Sequence, residues 1–169
     1  MIAGPTAVGK TDLCINLAKK FNTVIISSDS RQFFQEINIG TAKPSKEELD
    51  MVPHFFIGNK SIHEPYDVRS YEVEALSCIG DLFKEKDLLL LTGGLIRALE
   101  VCQGTGRKYS DFRVRKKVER PFKTIKIALN RDREELYSRI DRRMDKMIAE
   151  GLFEEAEKMH PYKNRNALN

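Results

Sequence analysis

A chain of 169 residues, 41% hydrophobic and 32% charged, is one domain's worth of polypeptide with enough apolar content for a sizeable core. That composition excludes a disordered or fibrous protein. The longest apolar run, Leu88–Leu91, is far too short to span a bilayer, and no secretory or transit signal is visible. A cytoplasmic protein with no membrane partner is therefore expected. The net charge of +4 is unevenly spread: residues 1–96 carry 10 basic and 13 acidic side chains, residues 97–169 carry 19 and 12. Such asymmetry fits either a polyanionic partner for the C-terminal half or a solvated, mixed-charge helical surface.

The first element is a glycine-rich loop, "GPTAVGKT" (4–11), running into a helix over 10–20 with Leu13 and Leu17 at helical spacing. "TVIISSDS" (23–30) changes abruptly from β-branched to polar, which predicts a buried strand ending in a loop. "KPSKEEL" (43–49) predicts a helix start, with Ser45 as cap and Glu48 three residues on. Residues 67–86 predict a long amphipathic helix with Tyr71, Ala75, Ile79 and Leu82 inward. "DLLLLTGG" (87–94) reads as a second buried strand, and Leu88–Leu91 as its apolar body. After the glycines "LIRALEVCQ" is helical in character, and "KTIKIAL" (123–129) reads as a third strand. A helix over 132–150 gathers Leu136, Ile140, Met144, Met147 and Ile148 on one face, and a further helical stretch follows Gly151.

Strands alternating with helices predict an α/β fold with a mostly parallel sheet, whose strand ends carry the chemistry. The whole of 1–169 is expected to form a single P-loop-type catalytic core. Cys14, Cys78 and Cys102 lack metal-ligand spacing and read as reduced, buried thiols.

"GPTAVGKT" satisfies G-x-x-x-x-G-K-[ST] at Gly4, Gly9, Lys10 and Thr11. The loop Gly4, Pro5, Thr6, Ala7, Val8, Gly9, Lys10, Thr11 is expected to curl its amides around a di- or triphosphate. Lys10 supplies a point charge, and the Thr11 hydroxyl suits a Mg²⁺ ion held by the phosphates. Asp29, at the end of the next strand, reads equally well as a functional carboxylate, either a general base or an outer-sphere Mg²⁺ ligand, or as a turn-forming aspartate. The strand "LLLLTGG" ends without an acidic residue, which counts against ATP hydrolysis. Arg139, Arg143 and Lys146 form a stripe that could reach bound phosphate. The commoner reading of such a stripe is an exposed charged face with pairs such as Glu135–Arg139.

"GPTAVGKT", "SSDSRQFFQEINIGTAKPS", "PHFFIG", "YDVRSYEVEA", "LLTGG", "RALEV" and "DREELYSRIDRRMDKMIAEGLFEEAEKM" occur in that order. Together they resemble the tRNA dimethylallyltransferases, over nearly the whole chain, and "NIGTAKPS" (38–45) is the most specific part. The resemblance implies transfer of a dimethylallyl group from dimethylallyl diphosphate to N6 of the adenosine next to the anticodon, position 37. It makes the loop residues 4–11 the diphosphate site, Thr11 a Mg²⁺ contact, Asp29 the base and Arg143 the group that stabilises the departing diphosphate. Asp29, Ser30, Arg31, Gln32 and Arg97 become contacts to the anticodon stem-loop of tRNA, and the enzyme is expected to act as a monomer.

The chain departs from that family where Gly94 abuts Leu95. The family carries there a Ser/Thr, an aromatic-containing helix and a helical insertion that grips the anticodon stem. An excised or disordered insertion is expected at this point, and the family's portion beyond "ALN" and most of its first strand are also outside these 169 residues. Three other functions stay open. A small-molecule P-loop kinase uses the loop and Asp29 but leaves "NIGTAKPS" unexplained. Isopentenyltransferases acting on free adenine nucleotides differ after the aspartate. A non-catalytic RNA-binding module would require the missing segments to be truly absent.

Overall fold

The computed structural model describes residues 1–93 and 122–165. Five strands form one parallel sheet in the order β3-β2-β4-β1-β5. They are β1 (Ile2–Ala3), β2 (Ile25–Ser27), β3 (His54–Phe55), β4 (Leu90–Thr92) and β5 (Ile127–Ala128). The helices are α1 (Lys10–Lys20), α2 (Lys46–Met51), α3 (Val68–Leu82), α4 (Arg133–Ala149) and α5 (Leu152–Met159), with a 3₁₀ turn over His160–Tyr162. This is a P-loop NTPase-like α/β architecture, as the alternation of elements predicts.

Burial on both faces of β2 explains its apolar run. Ile25 belongs to a cluster with Ile2, Cys14, Ile15, Ala18, Val52 and Leu90, on the side of α1. Its neighbour Ile26 belongs to a second cluster with Phe33, Phe34, Phe56, Ile62 and Ala75, on the side of α3. Successive strand side chains point to opposite faces, so adjacent isoleucines serve different cores. Phe33 stacks on Tyr71 with ring centroids 4.8 Å apart. Tyr71 also donates to Ser27 O at 3.0 Å, tying α3 to the end of β2.

The expected α3 face is present, with Ala75 buried and Tyr71, Ile79 and Leu82 against the second cluster, but the helix stops at Leu82 and not near 86. The capping box on α2 forms: Glu48 N donates to Ser45 Oγ, and Ser45 N to Glu48 Oε2. Three other expectations need correction. β4 runs Leu90–Thr92, and Leu88, 37% exposed, stands outside it. β5 is a two-residue strand with both residues exposed, and among the described residues it pairs with β1 alone. The apolar face of α4 stays partly open, with Met144 and Ile148 exposed and no residue of the helix fully buried. β3, an unanticipated strand, comes from "PHFF", too short a run to show periodicity. The helical stretch after Gly94, with Cys102, lies outside the described residues.

Candidate active site

The loop between β1 and α1 wraps over the C-terminal edge of the sheet. Gly9 caps α1 at φ +100°, a left-handed conformation that side chains strain, and Ala7 is also left-handed at φ +62°. No side chain caps α1, so its first-turn amides and the positive end of its dipole remain available to an anion. Lys10 Nζ donates to Gly4 O at 2.8 Å and Pro5 O at 2.7 Å, which holds the ammonium across the loop.

A cleft of about 820 Å³ opens over this loop. Lys10 and Thr11 line it, as do Asp29 from the end of β2 and Thr92 and Gly93 from the end of β4. Gly93 accompanies a close approach of the two strand tips: a Cβ there would meet Ser28 Oγ and lie 3.1 Å from Ser28 Cβ and 3.3 Å from Ser28 C. Ser28 in turn donates to Thr92 O through both N (2.7 Å) and Oγ (3.1 Å), so the tips of β2 and β4 are laced together beneath the cleft.

Asp29 makes a turn contact and also lines the cleft: its Oδ1 accepts from Arg31 N at 3.1 Å. Gln32 fixes this turn: its N donates to Asp29 O at 3.1 Å, its Oε1 accepts from Ser27 Oγ at 3.3 Å, and its Nε2 donates to Thr41 O and Ala42 O, both at 3.3 Å. Thr41, Ala42 and Pro44, from the "NIGTAKPS" segment, form the adjoining wall.

The opposite wall is α4. Arg139, Arg142, Arg143 and Lys146 all line the cleft, because helical spacing sets 139, 142, 143 and 146 on one side. Arg139 Nε donates to Ala7 O at 2.7 Å, and its guanidinium lies close to Gly9. Arg131, just before α4, donates to Val8 O and pairs with Glu135. The anticipated Glu135–Arg139 pair is therefore replaced by Arg131–Glu135, which leaves Arg139 to brace the phosphate loop.

Electrostatics couple the parts. Burial, then repulsion from Arg143, pushes the Lys10 ammonium below its ordinary value, and Asp29 partly restores it. Burial also lowers the Arg143 guanidinium, which Asp29 counters; it remains charged. Lys10, Asp29 and Arg143 thus feel one another inside a single cleft. Burial lowers His54 on the far side of the cleft, where its Nδ1 is 2.8 Å from Val52 O.

The structure therefore brings together Gly4, Pro5, Thr6, Ala7, Gly9, Lys10, Thr11, Asp29, Gln32 and Arg143. Val8 contributes a backbone carbonyl, its side chain being 3% exposed and in the core. Ser30 and Arg31 lie beside the cleft and not on its wall, Arg31 being exposed. Arg97 lies outside the described residues. Sequence reasoning missed Arg142, although its helical spacing from Arg139 was available, and Arg131, whose contact with the loop is 123 residues away in sequence. Among the described residues no group of three or more His, Cys, Asp or Glu could hold a metal. The single hydroxyl of Thr11 suits an ion ligated mainly by phosphate and water oxygens.

A parallel sheet with this loop after β1, a carboxylate at the tip of β2 (separated from β1 by β4) and an arginine-bearing helix lining the same cleft defines a P-loop α/β protein whose cleft suits a di- or triphosphate. The chain belongs to the IPP transferase family, whose model matches residues 32–94 and 95–169. It is 36% identical to tRNA dimethylallyltransferase 1 of Bacteroides fragilis, covering 100% of this chain and 76% of that protein. It is 37% identical to the tRNA dimethylallyltransferase of Cytophaga hutchinsonii, covering 99% and 75%. The crystal structure of the Bacillus halodurans tRNA isopentenylpyrophosphate transferase superposes with a TM-score of 0.78 at 28% identity, over 99% of this chain and 72% of that one.

Proposed function

We propose that this protein transfers the dimethylallyl group of dimethylallyl diphosphate to N6 of the adenosine at position 37 of tRNA, adjacent to the anticodon, and releases diphosphate. The observation that carries the reading is the convergence of Lys10, Asp29 and Arg143 on one cleft in a chain of the IPP transferase family. A carboxylate and a phosphate grip on facing walls suit a reaction that moves a proton one way and a leaving group the other.

An exocyclic amine is a weak nucleophile, so attack at the allylic carbon needs a positioned base and a neutralised leaving group. The new bond joins N6 to the allylic carbon while the carbon–oxygen bond to diphosphate breaks, and its electron pair leaves with the diphosphate. The N6 proton passes to the Asp29 carboxylate. Lys10, the backbone N–H groups of the loop (Pro5 has none) and Arg143 meet the charge that builds on the departing oxygens. Thr11 would give its hydroxyl to Mg²⁺, which would supply further neutralisation on the diphosphate. The target adenine sits in a stacked loop and has to be flipped into the cleft. Ser30, Arg31, Gln32 and Arg97 are assigned to tRNA contacts around it.

A monomer acting in the cytoplasm, where tRNA is found, completes the reading. Residues 1–169 then form one catalytic core, and the helical insertion that the resemblance places between Gly94 and Leu95 would add tRNA grip to it. The family match is itself divided at that bond.

Incubation with labelled dimethylallyl diphosphate and unmodified tRNA tests this. Label in tRNA adenosine is expected. Phosphoryl transfer from ATP to a small acceptor, with no label in tRNA, would show a kinase instead.

A further inference from the structure

One contact outside the cleft joins its two walls. On α5, the Glu155 carboxylate accepts from three consecutive backbone amides: Oε2 from Asn38 N at 2.8 Å and Ile39 N at 2.9 Å, Oε1 from Gly40 N at 2.8 Å. The partners lie 115 to 117 residues apart in sequence, so this is a tertiary connection and not a local turn. Hydrogen bonds to an ionised acceptor are about twice as strong as neutral ones, and three on one carboxylate fix the backbone between them. The fit is close: a Cβ on Gly40 would lie 3.4 Å from Glu155 Oε1 and 3.5 Å from Leu152 Cδ1.

Asn38, Ile39 and Gly40 begin the segment whose Thr41, Ala42 and Pro44 line the cleft. The other end of the turn is tied by Lys43 Nζ, which donates to Asn38 Oδ1 at 2.9 Å and to Phe34 O. From Thr41 O and Ala42 O the bonds pass to Gln32, and from Gln32 N to Asp29 O. On the other side, α5 follows α4 through the elbow Glu150–Gly151, with Gly151 at φ +100°. Glu155 therefore sits between the helix that carries Arg139 and Arg143 and the turn that carries Asp29.

We propose that Glu155 is a positioning residue that clasps α5 to the 38–40 turn and so sets the spacing between the Asp29 wall and the arginine wall. It acts through backbone and touches neither substrate. The phosphate loop has a support of its own in Lys10 on Gly4 and Pro5, and Arg139 on Ala7 ties α4 to it directly, so diphosphate binding is expected to depend on the clasp less than turnover does. The consequence for turnover rests on the prenyl-transfer reading above, whereas the clasp itself does not.

The test compares wild type with Glu155→Ala and Glu155→Gln by steady-state prenylation of an anticodon stem-loop, binding of inorganic diphosphate with Mg²⁺, and amide hydrogen exchange. Misplacement of a reacting group by about 1 Å costs about 10²-fold. Glu155→Ala is expected to lose about that much kcat while diphosphate affinity stays within about threefold, as for an interaction that matters only in the transition state. The amides of 38–40 should lose protection, and Glu155→Gln, which keeps one accepting oxygen, should fall between. Wild-type kcat in Glu155→Ala, or equal losses of kcat and diphosphate affinity, would overturn the proposal. If Glu155→Ala does not fold, the glutamine variant decides by the same two criteria. If wild type itself does not prenylate, the functional reading fails, and the exchange of amides 38–40 still decides the clasp: protection lost in either variant supports it, and protection unchanged overturns it.

Discussion

Asp29 is held to its position by backbone as much as by chemistry. Oδ1 already accepts from Arg31 N, so the carboxylate is oriented before any base arrives. Asp29→Asn keeps that acceptor and the turn but cannot take a proton at neutral pH. It is expected to lower kcat by about 10² to 10⁴, the usual worth of general base catalysis, with diphosphate affinity within about threefold. Steady-state kinetics beside diphosphate titration checks this. Arg143 differs, because its effect should appear as charge develops. Arg143→Ala is expected to cost about 10²-fold in kcat, and Arg143→Lys to recover only part, since an ammonium cannot reproduce the guanidinium fork. Lysine equal to arginine in this assay would mean that charge alone suffices.

Elements with strong local signals were legible in the sequence, and those made by tertiary contact were not. "KPSKEEL" announced its own cap, and the box of Ser45 and Glu48 forms as its spacing requires. Ser45→Ala should lower stability by about 1 kcal/mol, read as a shifted denaturant midpoint, because Glu48 N loses its acceptor. The phosphate loop was legible for the same reason, its motif being confined to eight residues. β3 was not, since two residues on a sheet edge carry no period. Nor was the role of Glu155 or Arg131, whose partners are more than a hundred residues away. Helical periodicity placed Arg139 and Arg143 on one stripe of α4 but could not say that Glu135 would turn to Arg131 and free Arg139 for the loop.

At the scale of the whole molecule, the cleft is basic on the α4 side, where Arg139, Arg142, Arg143 and Lys146 line it. tRNA binding should therefore fall steeply with added salt as counterions are released, while donor binding within the enclosed loop should change less. The helical insertion proposed above between Gly94 and Leu95 is a tRNA grip and not part of the phosphate site, so the 169-residue chain is expected to bind magnesium diphosphate well. It should bind an anticodon stem-loop at least about tenfold more weakly than the Bacteroides fragilis relative does, a difference of about 1.4 kcal/mol. Fluorescence anisotropy at matched ionic strength compares the two, and equal affinities would mean that the core alone supplies the grip.

The central claim is that the phosphate loop holds a leaving group and not a phosphoryl donor. The most direct measurement counts products from one reaction containing dimethylallyl diphosphate labelled in both its prenyl and phosphate parts, ATP and unmodified tRNA. The account predicts one intact inorganic diphosphate released for each prenylated adenosine, with ATP unconsumed. Orthophosphate or a phosphorylated acceptor formed from ATP, with no prenyl label in tRNA, would contradict it.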